Sequence, residues 1–368
     1  MPRLDSFKLP TLLIFLFSAL FLSRSLAIGE TTKDKATGIF YQLKMPESKG
    51  IIWSFDFLTG TRKKIYEFNS ANVSEIVLNS NKLAFTKNPP PIDRKRCIET
   101  YVGSIYCNYH LMVGDVSDLQ NSTLIATDIV SFAFSPDATE IIYSLYDNAR
   151  KHSALHRYEI GRKTDSLVLK NWKGLIDPVL GSSVDKKTVY FARNGDLYEA
   201  SRPTARLLLR TGGSGTPYRR KFRAVFNLSN DSSKVLIEKT TRWGILEVGV
   251  FHITENKYEI LDPASMRMDI NALRNWTEDS NGVSGELLNG SYGVFDLSTQ
   301  KTREVIKHPN KGLFLGSSLE SERILLVQPR AEIIFFLEPP LPGAYQFAVR
   351  QDPGDRNWPS VYFIGWEW

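Results

Sequence analysis

Apolar and polar residues alternate along this chain in short bursts, separated by turns rich in Ser, Asn and Asp. Alternation with a period of two marks a half-buried strand, and polar clusters of this kind between such runs are hairpin chemistry. One element recurs: an apolar strand, an acidic or polar residue, a tight turn and a second strand. It reads Trp53-Ser-Phe-Asp56 before KKIYEF, Met112-Val-Gly-Asp115 before STLIAT, His156-Arg-Tyr-Glu159 before DSLVLK, and Asp196-Leu-Tyr-Glu199 before ARLLLR. It returns as Gly249-Val-Phe-His252 before KYEILD, as Gly293-Val-Phe-Asp296 before REVIK, and in degenerate form as Phe335-Phe-Leu-Glu338 before AYQFAVR. The steps between copies are 59, 44, 40, 53, 44 and 42 residues.

A second element of strand, polar turn and strand falls between these copies. Ser131-Phe-Ala-Phe-Ser-Pro-Asp137-Ala-Thr-Glu-Ile-Ile-Tyr-Ser144 is its clearest form, and others lie at 75–86, 178–192, 224–239, 273–287 and 313–327. The two series interleave, so each unit is an inner hairpin followed by an outer one. Units of roughly 40–50 residues with four strands predict an all-β, seven-bladed β-propeller of four-stranded antiparallel blades. The blades fall at about 37–70, 72–127, 128–170, 172–211, 220–262, 268–308 and 312–351. The first lacks its own first strand, while Ser360-Val-Tyr-Phe-Ile-Gly365 is a spare strand after the last. A ring must close or leave strand edges open, so residues 360–366 are expected to pair beside 38–44 in blade one.

The segment FAFSPDATEIIYS resembles the Ser-Pro-Asp-Gly turn repeat of TolB-like propellers, with Ala138 where that family usually has Gly. The other units keep a polar turn without Ser-Pro-Asp. The resemblance implies a propeller fold and an extracytoplasmic setting, and carries over no active-site residues.

The N-terminus adds an address. Arg3 and Lys8 precede an uncharged run, Leu9–Ser23, and then Ser25-Leu26-Ala27, small at both positions that matter for cleavage. This predicts a signal peptide over 1–27, cleaved near Ala27, and one propeller domain over 28–368. The 15 uncharged residues between Lys8 and Arg24 fall short of a spanning helix. The expected protein is secreted or extracytoplasmic, periplasmic if bacterial, with no stable membrane insertion after cleavage. The formal charge of +6 is too small to point to nucleic acid. Cys97 and Cys107, the only two cysteines, read in that setting as a local disulfide. Asn-x-Ser/Thr sequons begin at Asn72, Asn121, Asn227, Asn230, Asn275 and Asn289, permitting glycosylation on a eukaryotic secretory route.

Within this scheme one end of each blade carries the loops between second and third strands and the loops between blades; the other carries the hairpin turns. The first face gathers Arg94, Lys95 and Arg96, Arg150, Lys151 and His152, Lys170 and Lys173, Arg242 and Trp243, and His308. The turn face holds Asp137, Glu140, Asp185, Asp231, Glu278, Asp279, Glu320 and Glu322 mixed with lysines. Basic loops around a channel would focus positive potential on an anionic ligand, whereas an evenly solvated surface would not. The longest insertion, 88–108, lies on the basic face, stiffened by Pro89–Pro91 and stapled by Cys97–Cys107. Ordered loops on a rigid scaffold are where binding sites are built, which singles out Arg94, Lys95, Arg96, Tyr101 and Tyr106.

Catalytic signals are sparse. Gly212-Gly-Ser214-Gly-Thr216 lacks the last glycine of a nucleophile elbow, and no His-Glu-x-x-His set occurs among the five histidines. No phosphate loop, dinucleotide fingerprint or zinc-type cysteine set occurs, so no cofactor and no metal is expected. The residues therefore predict an exported, non-catalytic binding or scaffolding propeller that engages a protein or an anionic glycan. The alternative is a channel-mouth carbohydrate-active or small-substrate enzyme, a lyase or hydrolase, with His152 and His308 the histidines placed to serve it. Convergent His and carboxylate side chains at the channel mouth would separate the second from the first.

Overall fold

Strands form where the alternation places them, and consecutive strands pair antiparallel. The computed structural model describes residues 37–44, 49–56, 61–68, 73–87, 97–99, 105–107, 109–211, 223–241, 244–268, 274–277, 279–306, 313–318, 323–327, 333–337, 345–348 and 360–366. Val179–Ser182, Val189–Arg193, Asp196–Ser201 and Thr204–Leu209 make one four-stranded sheet in chain order. Arg223–Leu228, Lys234–Thr241, Gly244–His252 and Lys257–Ile260 make the next, and Arg274–Trp276, Gly282–Glu286, Tyr292–Asp296 and Lys301–Ile306 another. Leu313–Ser318, Arg323–Val327, Ile333–Leu337 and Tyr345–Ala348 follow in the same order.

Upstream, a seven-stranded sheet runs from Thr164–Lys173 through His152–Glu159, Glu140–Asp147, Thr123–Phe134, Tyr109–Asp115 and Lys82–Lys87 to Val73–Asn79. It is two four-stranded groups sharing one long strand. The first half of Thr123–Phe134 pairs with Tyr109–Asp115 and the second half with Glu140–Asp147. Asp128, with φ 60, sits at the changeover, where a left-handed residue bends the strand from one partner to the other. The last four-stranded sheet joins the two ends of the described chain: Ser360–Trp366, Thr37–Lys44, Lys49–Asp56 and Thr61–Phe68. Its register puts Phe40 opposite Phe363 and Leu43 opposite Ser360. The strand Ser360–Trp366 also lies against Val73–Asn79 and Leu313–Ser318.

The core lies between sheets. In the second strand of a unit several successive residues are buried, as in Ile141–Ser144 and Val189–Ala192, so both faces of the sheet are covered. Ile141, Tyr143 and Tyr158 pack on Ala84, Leu111 and Val113 on one side. Ile142, Leu155 and Val168 pack on Val179, Val189 and Phe191 on the other. The same layering continues with Ala192 and Leu197 against Phe226 and Ile237, then Leu236 and Val250 against Trp276 and Phe295. After Asp115 the sequence predicts a tight polar turn, but the chain forms a short 3-10 helix, Val116–Asn121. Val116 and Leu119, three apart, thereby reach one apolar layer with Phe68 and Phe85.

At one end of the sheets the inner hairpins share a chemical lock. In Ser135-Pro-Asp137, Ser183-Val-Asp185, Ser229-Asn-Asp231 and Thr277-Glu-Asp279 the first hydroxyl donates to the aspartate at 2.6–2.7 Å. The same hydroxyl oxygen accepts the backbone N–H five residues on, from Glu140, Thr188, Lys234 and Gly282. The aspartate in turn accepts the N–H two residues ahead, from Thr139, Lys187, Ser233 and Asn281. The residue after each aspartate is left-handed: Ala138, Lys186, Ser232 and Ser280, with φ 56, 59, 56 and 57. All four aspartates are held below the usual carboxylate range. In Asp185 and Asp279 the lock hydroxyl is the chief cause. In Asp137 and Asp231 burial pushes upward but is outweighed, chiefly by bonds from Lys186 and Ser229 respectively.

These turns also tie neighbouring sheets. Asn79 donates to Ser135 O at 3.0 Å, Lys186 to Thr139 Oγ1 at 2.6 Å, Ser232 to Ser182 O at 2.8 Å, and Lys234 to Ser280 O at 3.1 Å.

Two stability measurements follow from this architecture. Ser229 is 2% exposed, and Ser229→Ala would strip Lys234 N–H and Asp231 of their partner. A loss of about 1–3 kcal/mol in chemical denaturation is expected, against near zero for Val184→Ala, whose side chain is exposed in the preceding turn; equal effects would sink the lock. Removing residues 360–368 leaves the edge of Thr37–Lys44 unpaired, and cooperative thermal unfolding is expected to disappear. An unchanged melting temperature would show that the pairing carries no stability.

Candidate binding face

The turn locks spend the polar groups of one end of the sheets on structure. At the other end lie the loops between second and third strands and the connections from one sheet to the next. Asp147 opens such a loop, its Oδ1 accepting from the N–H of Ala149 at 3.0 Å and of Arg150 at 3.1 Å. Lys151 closes it in a left-handed conformation, φ 59, and its carbonyl accepts Gly174 N–H at 2.9 Å. His152 Nδ1 lies 2.6 Å from Arg150 O, and in the ladder His152 stands opposite Lys173. Trp172, the next residue inward, carries the Arg193 guanidinium over its ring at 5.7 Å. Gly174 is left-handed at φ 94, and a Cβ there would meet Arg193 Nε at 2.7 Å, so only glycine lets the arginine fold over this loop.

The sequence therefore placed Lys151, His152 and Lys173 on one face, and the structure brings them together, with Arg193 added. Among the described residues none of these four has a carboxylate partner. Four lysines at the turn end do: Lys82 with Asp115 at 2.6 Å, Lys186 with Asp137 at 2.5 Å, Lys187 with Asp185 at 3.4 Å and Lys234 with Asp231 at 3.9 Å. Other cations at the loop end are paired: Arg150 with Asp147 at 3.6 Å, Lys49 with Glu67 at 3.6 Å and Lys239 with Glu247 at 2.5 Å.

Arg94, Lys95, Arg96, Tyr101, Arg242, Trp243 and His308 lie outside the described residues, as do the leader 1–27 and the segment 212–216. For Tyr106 the backbone strand Ile105–Cys107 is described, paired antiparallel with Cys97–Glu99. That register sets Cys97 directly opposite Cys107. Opposed residues of an antiparallel pair have Cα atoms about 4.5–5.5 Å apart, within the range a disulfide spans.

A second group was missed in the sequence. Glu75 begins its strand as the lone acid in VSEIVLN, with its N–H donated to Thr86 Oγ1 at 3.0 Å. Asp177, 4% exposed, immediately precedes the strand Val179–Ser182 and donates its N–H to Ala192 O at 3.0 Å. Burial pushes the Glu75 carboxyl up to about 7, and the negative charge of Asp177 adds to the rise. Glu75 stands on the first strand of its unit and Asp177 two residues before the first strand of its own, both at the loop end. A charged residue within an apolar alternation, and an Asp-Pro just before another such strand, were the available signals; which acids approach each other depends on packing between units. No histidine joins them among the described residues. The His–carboxylate pairs lie elsewhere: His156 Nδ1 to Asp165 at 2.8 Å, with Tyr143 stacked on the ring and donating to the same carboxylate at 3.0 Å, and His252 to Glu259 at 3.6 Å. Among the described residues no group of three His, Cys, Asp or Glu side chains could hold a metal ion, and no helix is long and apolar enough to cross a membrane.

Solved structures share this architecture. The chain is similar to the β-propeller domain of the Trilobed protease from Pyrococcus furiosus, at 10% identity over 88% of this chain and 94% of that one, with a TM-score of 0.53. It is similar to an oligogalacturonate lyase in complex with manganese, at 11% identity over 82% and 90%, TM-score 0.51. A prolyl endopeptidase matches at 13% identity, TM-score 0.53, over 98% of this chain but 56% of its own. No family model and no curated protein matches the chain. The likeness establishes an all-β, antiparallel fold of the β-propeller kind and stops at the fold.

The raised carboxyl gives a pH signature. Glu75 is neutral in both folded and unfolded chains below 4.5, its ordinary value, and ionised in both above about 7. Ionisation costs more in the folded state, so the contribution of this group to stability falls as pH rises from 4.5 through 7. Thermal melts of wild type and Glu75→Gln across that window are expected to diverge, the variant gaining relative stability towards pH 8; parallel curves would mean that the carboxyl is not raised.

Proposed function

We propose that this chain is an exported, seven-bladed β-propeller that binds an anionic partner, a protein surface or a glycan, on its loop face without transforming it. Blade one would be completed by Ser360–Trp366, closing the ring. The observation that carries the reading is a group of cations on the loop face. Lys151, His152, Lys173 and Arg193 have no carboxylate partner among the described residues, whereas Lys82, Lys186, Lys187 and Lys234 at the turn end pair with aspartates. Unneutralised charge on rigid loops attracts anions at a rate and strength that fall with ionic strength. The loop 88–108 would extend the same surface through Arg94, Lys95, Arg96, Tyr101 and Tyr106, its tip stapled by a Cys97–Cys107 disulfide; Arg242, Trp243 and His308 would complete the rim. Kinship to TolB-like propellers rests on the Ser-x-Asp lock. Its chemistry recurs where the Ser-Pro-Asp spelling does not.

A catalytic reading draws on Glu75 and Asp177. A carboxylic acid poised near neutrality beside an ionised neighbour is arranged as general acids are, and the fold does not choose, since the named neighbours include a lyase and an endopeptidase. Heparin chromatography separates the two. The wild type is expected to bind at low salt and elute as salt rises. A Lys151→Gln/Lys173→Gln variant and an Arg94→Gln/Lys95→Gln/Arg96→Gln variant should each elute earlier, and Glu75→Gln should elute unchanged. Elution that ignores salt and both sets of substitutions would overturn the binding reading.

A further inference from the structure

We infer that the turn-end seam between two neighbouring sheets is a binding pocket for a small hydroxylated acid, a sugar-sized molecule with several hydroxyls and one carboxylate. The site lies at the opposite end of the sheets from the loop face and does not depend on what binds there. A cleft of about 430 Å³ opens between the sheet that ends in Thr164–Lys173 and the one that ends in Thr204–Leu209, a size that suits one small molecule. Three strands of the first sheet line it. Glu140 stands opposite Glu159, Arg157 opposite Ser166, and Glu159 opposite Thr164. The second sheet contributes Asp185 and Lys187 from its inner turn and Arg202 from its outer one. Every residue lining the cleft is polar.

The charges around the cleft select the ligand. Each acid there already has a cation: Glu140 has Arg157 at 3.3 Å, Glu159 has Arg162 at 3.3 Å and Asp185 has Lys187 at 3.4 Å. Lys186 is taken by Asp137. Arg202 is the cation left over. Its Nη2 donates to Ser166 Oγ, and it has no carboxylate partner among the described residues. A ligand ammonium therefore finds no unmatched acid. A ligand carboxylate finds a guanidinium, whose forked donors suit it.

The strands of the first sheet call for hydroxyls as well. The side chains of Glu140 and Arg157 are 12% and 18% exposed, and Glu140 Oε2 and Arg157 Nε are buried without a hydrogen bond. They meet as charges at 3.3 Å, but the N–H is not aimed at the oxygen. Buried polar atoms are nearly always hydrogen-bonded, so an acceptor and a donor left side by side beside a cleft point to a missing partner. A hydroxyl answers both at once, donating to the carboxylate and accepting from the guanidinium. Matched charges give a large polyanion little to hold at this end of the sheets, but they serve a small molecule that brings donors and acceptors together. With no apolar lining, a dissociation constant of about 1 mM is expected.

The test is titration calorimetry of the full chain with sodium D-glucuronate at fixed ionic strength. D-glucose and sodium acetate, which carry the hydroxyls and the carboxylate separately, are run beside it. Glucuronate is expected to bind saturably and about tenfold or more tighter than either. Arg202→Gln, in an exposed turn, should weaken glucuronate about tenfold with the melting temperature unchanged. Thr164→Trp, which fills the cleft from another exposed position, should abolish binding. Lys151→Gln/Lys173→Gln, on the loop face, should bind glucuronate as the wild type does. Absence of saturable glucuronate binding, glucose or acetate binding as tightly, or wild-type affinity in Arg202→Gln or Thr164→Trp overturns the inference. So does loss of binding in Lys151→Gln/Lys173→Gln, since the acid would then sit on the loop face.

Discussion

The sheets of this chain are apolar on both faces, and the remaining features depend on that. A strand such as Glu140–Asp147 buries Ile141 and Tyr143 towards one neighbour and Ile142 and Ser144 towards the other. A single sheet of this kind has no core of its own, since burying one face still leaves the other in water. Stability therefore comes from stacking sheet on sheet, at roughly 25 cal/mol for each Å² of apolar surface covered. Stacking of that sort propagates along the chain, and its two ends remain vulnerable unless something covers them. The strand Ser360–Trp366 pairs with Thr37–Lys44 and lies against Val73–Asn79 and Leu313–Ser318, covering a strand edge that would otherwise be open.

Stacking leaves two rims, and the chain treats them differently. At one, a hydroxyl, an aspartate and a left-handed residue repeat in four successive units and lace each sheet to the next. Lys82, Lys186, Lys187 and Lys234 there pair with aspartates. At the other, the loops are shaped by the Asp147 turn and the left-handed Gly174, and Lys151, His152, Lys173 and Arg193 have no carboxylate partner among the described residues. A surface whose charges are already matched offers little to a charged partner. One with unmatched cations on fixed loops does.

Much of this was legible in the residues. Period-two alternation and polar turns located the hairpins, and the order of the sheets followed because hairpin-linked strands pair with their neighbours. Lys151, His152 and Lys173 could be assigned to one face by counting strands. Arg193 could not, because its place over Trp172 depends on how one sheet packs against the next. The shared lock was hidden for a different reason. Ser-Pro-Asp was recognisable, whereas Ser-Val-Asp, Ser-Asn-Asp and Thr-Glu-Asp look like ordinary polar turns until their hydrogen bonds are seen to coincide. Likewise the polar turn expected after Asp115 became a helix, since the spacing of Val116 and Leu119 suited an apolar layer that only the assembled sheets create.

What the sequence determined by itself was local: strand positions, turn chemistry, and the period that sets one unit after another. These depend on residues a few positions apart, so a linear reading reaches them. Only the tertiary structure decided that the charge of Asp177 reaches the buried Glu75 carboxyl and that Arg193 folds over Trp172. Each of those is a relation between side chains on different sheets, and burial and charge there are properties of the packed neighbours rather than of the residue.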